Sequence, residues 1–175
     1  MVVFGHNRKI RQAAYGLFAR IVEQARDPGF YANWQVADTL DGRFDLIVLH
    51  VSLVVNRLEK DGPDKNNALL IRFLQEALFD NMDMSLRELG VGDMSVGKKV
   101  KIMAEAYYGR LAAYKEAVGT DDLGPVLIRN IYREQGPDAA TLDRLIDYIR
   151  RQADCLDKQT DEDIMAAGLI FEDVA

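Results

Sequence analysis

Apolar residues recur every three or four positions along most of the chain, and Val/Ile/Thr-rich segments of alternating polarity are missing. A period near 3.6 residues predicts amphipathic helices, whereas alternation predicts strands. The pattern therefore predicts an all-α protein, built as a single compact bundle of six or seven helices in one domain over residues 1–175.

Capping residues and helix breakers divide this pattern into segments. Ser, Thr, Asp and Asn favour helix starts, and Gly and Pro favour helix ends. We expect helices from Asn7 to Arg26, from Asp38 or Thr39 to Asp61, from Pro63 or Asp64 to Gly90, from Ser95 to Gly119, from Asp121 or Asp122 to Gln135, and after Gly136-Pro137 through Cys155 or Leu156, with Thr160 capping a last short helix at Ile164 to Ala167.

Two segments are predicted to fill the core. The stretch from Phe44 to Val55 is the most apolar of the chain, and its twelve residues are fewer than the ~18–25 that a membrane span needs. It therefore indicates a central helix that several neighbours cover. The loop before it is crowded with bulky side chains, which more often fill a core than meet a ligand: Phe30, Tyr31, Trp34 and Val36.

The net charge and its distribution along the chain limit the kinds of partner that the protein can bind. The net charge is −6, from 22 basic and 28 acidic residues, and residues 1–60, 61–115 and 116–175 carry +2, 0 and −8. A nucleic-acid binder depends on many phosphate contacts, so no DNA partner is expected. The acidic last third is typical of a solvated face, with a steering surface for a basic partner as the alternative.

The sequence offers few groups for catalysis or metal binding. His6, His50 and Cys155 are its only histidines and cysteine, and none has a second ligand at helical or CxxC spacing. The common nucleotide-binding and nucleophile motifs are also missing. We therefore expect no metal and no cofactor. His50 lies within an apolar helix, where a structural core histidine is the commoner case.

Two charged helix faces leave alternatives open. Glu76, Asp80 and Asp83 share one face of the third helix and could hold magnesium, but Arg87 stands four residues after Asp83 and can neutralise it. On the fourth helix, the face opposite the apolar seam carries a basic stripe, which is either solvated surface or a contact for phosphate, lipid headgroups or an acidic protein: Lys98, Lys99, Lys101, Tyr108, Arg110 and Lys115.

Two separated motifs resemble a known family. They are DTLDGRFD at residues 38–45 with VLHV at 48–51, and LRELGVGDMSVGKKVK at 86–101 with YYGR at 107–110. Both are similar to the ubiquinol-cytochrome c chaperone family and occur in the family's order. The resemblance covers roughly residues 10–118 and leaves the acidic region of residues 119–175 outside.

The resemblance implies a non-enzymatic chaperone. Mitochondrial members assist the biogenesis of cytochrome b, the membrane-embedded haem subunit of ubiquinol-cytochrome c reductase, together with a small helical partner and in contact with the ribosome. The present chain looks like a bacterial member. The apolar run from Met1 to Phe4 is too short for a secretory signal, so we expect a cytoplasmic protein at the inner face of the membrane, or on the matrix side if the source is an organelle.

Residues that combine the resemblance with polar chemistry are the candidates for partner binding: Arg43, His50, Arg57, Arg87, Asp93, Lys98, Lys101 and Tyr108. The basic stripe adds a possible peripheral membrane contact as a hypothesis. The alternative function is a lipid- or isoprenoid-handling helical protein that uses the face of Glu76, Asp80 and Asp83.

Overall fold

Eight helices form the part of the chain that the structure describes. The computed structural model covers residues 2–133 and 135–174, with side chains from residue 5 onwards. The helices are α1 (Val2–Ala25), α2 (Pro28–Ala32), α3 (Leu40–Glu59), α4 (Lys65–Glu88), α5 (Asp93–Ala117), α6 (Leu123–Asn130), α7 (Ala139–Asp157) and α8 (Asp161–Met165). No strand occurs in these residues, which confirms the all-α class.

Seven of these helices correspond to the predicted ones, and α2 is additional. It lies in the loop that was predicted between the first two helices, because Asp27 caps it by accepting a hydrogen bond from the amide of Gly29. Pro28 at its first position has a backbone angle suited to a helix start. Phe30, Trp34 and Val36 are buried as predicted, and Tyr31 is half-buried.

The predicted bounds of four helices were wrong, those of α1, α5, α6 and α8. Helix α1 begins at Val2 rather than Asn7, since nothing in Gly5-His6-Asn7 prevents a helical backbone. Helix α5 begins at Asp93, so Ser95 lies inside the helix and is not its cap. Helix α6 ends at Asn130 rather than Gln135, because Arg133 adopts a left-handed backbone with φ of 50°. Glu134 lies outside the described residues.

Helices α3, α4 and α8 start at predicted caps, although α8 runs over Asp161–Met165 rather than Ile164 to Ala167. Asp122 precedes α6 without a side-chain cap bond, and Asp138, which was not predicted, caps α7. Thr39 accepts from the amide of Gly42, and Asp64 accepts from two amides in the first turn of α4. Thr160 and Asp163 form a reciprocal capping box at α8. Gly90 follows α4 with φ of 79°, a left-handed conformation that glycine adopts without strain.

Helix α3 is the centre of the bundle. It packs against α1, α4, α5 and α7, and side chains on every side of it are fully buried, including Leu46, Val48, Leu49, Val51 and Val54. This confirms the prediction that several neighbours cover the most apolar segment. Among the described residues, none of the helices is both long enough and apolar enough to cross a membrane.

Gly42 is required by close packing at the start of α3. A Cβ atom at this position would lie 2.0 Å from the carbonyl oxygen of Ala37, so we predict that Gly42→Ala lowers the free energy of unfolding by about 2–3 kcal/mol. Gly97 in α5 is the control, since a Cβ atom there has nothing within 4 Å. Gly97→Ala should raise the same free energy by about 0.5–1 kcal/mol. Urea denaturation of both variants measures the difference, and equal effects would contradict the steric explanation.

Candidate functional site

A partly apolar cleft of about 270 Å³ opens between the first half of α3, the second half of α4, and α5. Its inner wall consists of Phe44, Ile47, Leu78 and Met82, which are buried. The apolar stripe of each helix packs partly in the core and partly along the cleft. The cleft is therefore an extension of the hydrophobic core that stays open to solvent.

The rim of the cleft combines exposed apolar and charged side chains. Leu40 and Leu89 are 36% and 64% exposed, although periodicity assigned both to apolar helix faces that were expected to pack inside. Arg26, Arg43 and Glu88 stand beside them. Such a rim suits an apolar segment with polar flanks, because the apolar side chains provide contact area and the charges limit self-association.

Arg43, the first of the predicted partner-binding residues, lies in this rim. Its guanidinium Nε donates to Asp38 Oδ1 at 2.8 Å, and its side chain is 54% exposed. The hydrogen bond from Arg43 lowers the pKa of the Asp38 carboxyl. Asp38 thus orients Arg43 at the edge of the cleft and leaves much of the cation open to a ligand.

Arg87 and Asp93 lie together at the α4–α5 turn, next to the cleft. Arg87 is bonded to Asp93 and, through Nε at 2.5 Å, to Asp83. This confirms the predicted pairing of Asp83 with Arg87. The three side chains are partly exposed and connect the end of α4 to the start of α5, so their contacts order the turn that carries Leu89.

Among the described residues, exposed basic side chains without salt bridges occupy only the first half of the stripe on α5. Lys98, Lys99 and Lys101 are exposed, and no carboxylate within the described residues forms a salt bridge with them. Tyr108 is 51% exposed on the same outer side of the helix. In the second half of the stripe, by contrast, Lys115 pairs with Glu59 at 2.6 Å.

Arg110 does not belong to this exposed stripe, which corrects the prediction. Its side chain is only 15% exposed and pairs with the buried Asp45 at 2.9 Å. Arg133 approaches the other carboxylate oxygen of Asp45 at 3.0 Å and also pairs with Asp41. Burial raises the pKa of Asp45 to about 6, although the two arginines oppose that rise.

His50 is fully buried and has a structural role. Its Nδ1 lies 2.7 Å from the carbonyl oxygen of Leu46, and its Nε2 lies 2.8 Å from the hydroxyl of Tyr148. Gln24 donates to the same hydroxyl, so the Tyr148 proton points to Nε2 and the Nδ1 proton points to Leu46. Both ring nitrogens are satisfied with a neutral imidazole, and burial lowers the pKa of His50 to about 4.

Arg57 is also buried, with its side chain 9% exposed. It donates to the carbonyl oxygens of Leu156 and Gln159 and pairs with Asp161 at 2.9 Å. These contacts attach the end of α3 to the end of α7 and the start of α8. The structure therefore buries His50 and Arg57, while the other six predicted partner-binding residues are exposed.

The acidic face of α4 is occupied by contacts within the chain. Glu76 pairs with Arg72, Asp83 with Arg87, and Asp80 accepts from the hydroxyl of Tyr15 at 2.5 Å. Within residues 2–133 and 135–174, no group of three or more His, Cys, Asp or Glu side chains could hold a metal ion. The magnesium reading of this face has no geometric support.

The described residues thus form an all-helical protein with a partly apolar cleft that is open to solvent. The sequence profile of the family described as Ubiquinol-cytochrome C chaperone matches residues 32–171. The chain therefore belongs to that family. The matched range continues through the acidic region after residue 118, which the sequence resemblance had left outside.

Individual relatives agree with this membership. The crystal structure of the Cbp3 homolog from Brucella abortus is 33% identical, with a TM-score of 0.83 over 99% of this chain and 98% of that one. Ubiquinol-cytochrome c reductase complex assembly factor 1 of Mus musculus is 25% identical over 91% of this chain, and the chain spans 54% of that protein. The Xenopus laevis protein is also 25% identical, over 91% of this chain and 80% of its own length.

The buried imidazole predicts a pH dependence of stability. An unfolded histidine binds a proton near pH 6.5, whereas folded His50 does so only near pH 4, so acidification between these values favours the unfolded chain. From pH 7 to pH 5, the chain should lose about 2 kcal/mol more unfolding free energy than the His50→Gln variant. Asp45 is present in both proteins, so its own titration cancels. Equal losses in urea denaturation at the two pH values would show that His50 is not held neutral.

Proposed function

We propose that this chain is a non-enzymatic assembly factor for ubiquinol-cytochrome c reductase, and that it acts by binding the cytochrome b subunit. Membership in a family described as a chaperone, over residues 32–171, carries the proposal. The names of the mouse and Xenopus relatives as reductase assembly factors support it.

The cleft is the proposed binding site for the client, meaning the polypeptide that the chaperone holds. A membrane-embedded subunit exposes apolar segments before it is assembled, and these need a protein surface to cover them. Leu40 and Leu89 offer exposed apolar contacts at the rim, and Arg26 and Arg43 offer cations for a polar flank. The cleft can thus cover a short apolar segment of cytochrome b until later subunits replace the chaperone.

Lipid or isoprenoid chemistry, the alternative function, lacks a supporting observation. It required Glu76, Asp80 and Asp83 to hold a metal, and each of these carboxylates bonds to another side chain of the protein. The small helical partner and the ribosome, which the family resemblance implies for mitochondrial members, stay predictions for this chain.

Charge introduced at the rim should disrupt client binding without disturbing the core. We predict that the double variant Leu40→Glu and Leu89→Glu, expressed in a strain that lacks the unchanged protein, lowers the amount of assembled reductase. The amount should be half or less of that found with the unchanged protein. Met84→Glu is the control for an added charge at an exposed apolar position. Met84 lies on α4, is 54% exposed and does not line the cleft. Native gel electrophoresis measures assembled reductase and a second respiratory complex.

Two outcomes would count against this proposal. Unchanged reductase with the double variant present at normal abundance would exclude the cleft as the client site. Equal loss of the second respiratory complex would exclude a role specific to the reductase.

We also propose that the first half of α5 contacts an anionic membrane surface. Lys98, Lys99 and Lys101 are exposed without salt bridges among the described residues. Met94, 99% exposed, and Ile102, 55% exposed, lie on the same half of the helix and could enter the headgroup region. This contact would hold the cleft close to a membrane-embedded client.

Charge reversal tests the membrane contact. Each lysine near an anionic surface contributes about 1 kcal/mol, so the triple change of Lys98, Lys99 and Lys101 to Glu should weaken binding to phosphatidylglycerol-containing vesicles about 100-fold or more. The control changes the exposed Lys9, Lys65 and Lys158 to Glu, with the same change in net charge. Co-sedimentation measures both variants, and equal weakening would mean that only net charge matters.

A further inference from the structure

Residues 168–174 form an extended strap that lies in a groove along α7. Ala167 turns the chain with a left-handed φ of 58°, and Gly168 then donates to the carbonyl oxygen of Asp163. From there the chain has neither helix nor strand. Leu169 and Val174 are 2% and 9% exposed, whereas Ile170 between them is 60% exposed. The strap therefore turns some of its side chains into the groove and others to solvent.

Two glutamines of the groove wall bind the main chain of the strap. Gln159 donates to the carbonyl oxygen of Ile170 at 2.8 Å and accepts from its amide at 2.9 Å. Gln152 makes the same pair with Glu172, at 2.8 and 3.0 Å. Each amide side chain thus recognises one residue of extended backbone through both of its ends. Contacts of this kind are independent of the side chain that the bound residue carries.

Gln152 is the buried side chain of the groove that bonds to the main chain of the strap. It is fully buried, and Glu172 provides the hydrogen-bond partners at both ends of its amide. Removal of the strap would take these partners from both ends of the amide, which would then bond to water or to another extended chain. A groove lined only for apolar packing would not need such a residue.

The floor of the groove is aromatic. The ring of Phe171 meets His50 edge-on, with ring centroids 5.5 Å apart, and His50 in turn bonds to Tyr148. Gln24 joins floor and strap, because it donates both to the Tyr148 hydroxyl and to the carbonyl oxygen of Glu172. The groove therefore combines main-chain recognition at Ile170 and Glu172 with an apolar floor under Phe171.

We propose that this groove is a peptide-binding site, which the strap occupies within its own chain and yields to an extended segment of a partner polypeptide. The preferred segment carries apolar residues at the positions of Leu169, Phe171 and Val174. Recognition through the main chain accepts any sequence with this pattern, which suits an apolar polypeptide that has not yet folded. That this partner is the client of the chaperone rests on the proposed function, whereas the groove itself does not.

A labelled peptide with the sequence of residues 166–174 tests the site by fluorescence anisotropy. The double variant Leu169→Ala and Phe171→Ala loosens the strap and leaves the groove intact. It should bind the peptide at least about tenfold more tightly than the unchanged chain, whose own strap competes at a high effective concentration. Adding Gln152→Ala should abolish the binding, and adding Gln12→Ala, a change of an exposed glutamine, should not.

Modified peptides distinguish main-chain recognition from non-specific apolar binding. A peptide that is N-methylated at the positions of Ile170 and Glu172 loses the two backbone N–H groups that donate to Gln159 and Gln152. It should therefore not bind. A peptide with Ile170 replaced by Ala should bind normally. Binding of the methylated peptide, or no binding of any peptide to a folded double variant, would overturn the proposal.

Hydrogen exchange of the unchanged chain decides the question if the variant does not fold. The amides of Ile170 and Glu172 should exchange faster than those of the α7 core, because the strap opens without global unfolding. Excess free peptide should accelerate them further. Exchange at the rate of the α7 core would overturn the proposal. Failure in these experiments leaves the assembly role untouched, since that role is measured with variants of the cleft.

Discussion

The structure depends on satisfying the polar side chains of a helix that is buried on all sides. Helix α3 carries Asp45, His50 and Arg57 in an otherwise apolar sequence, and an unpaired charge or imidazole in a core is costly. Their long-range partners all come later in the chain, from α5, the α6–α7 connection, α7 and α8. Burial of α3 therefore requires the acidic last third to pack against it, and that region is part of the fold rather than an appendage.

This constraint also places the cleft and the groove of the strap. The cleft lies where α3 meets α4 and α5, and the groove of the strap lies where α7 packs against the same helix. Both adjoin the most deeply buried helix, so side chains of the core form part of their walls. The exposed lysines of α5 lie on the same helix as Met103, which lines the cleft, whereas the excess of acidic residues belongs to the region after residue 115.

The sequence predicted what depends on neighbouring residues. Helices, caps at Thr39 and Asp64, and the pairing of Asp83 with Arg87 follow from local spacing. It also favoured a core role for His50, but it could not identify the partner Tyr148, which is 98 residues away. The exposure of Leu89 was missed because periodicity does not reveal where a helix extends beyond the helices that cover it. The strap was missed because an irregular segment has no periodic pattern of apolar residues.

The central claim is that cytochrome b binds in the cleft, and site-specific photo-crosslinking tests it most directly. A photoreactive amino acid is placed at Leu89 or at Met84, two exposed positions near the end of α4 of which only the first lines the cleft. After illumination of respiring cells, mass spectrometry identifies the adducts. The account predicts cytochrome b adducts from position 89 and few from position 84. Adducts of equal yield at both positions, or none with cytochrome b at position 89, would contradict it.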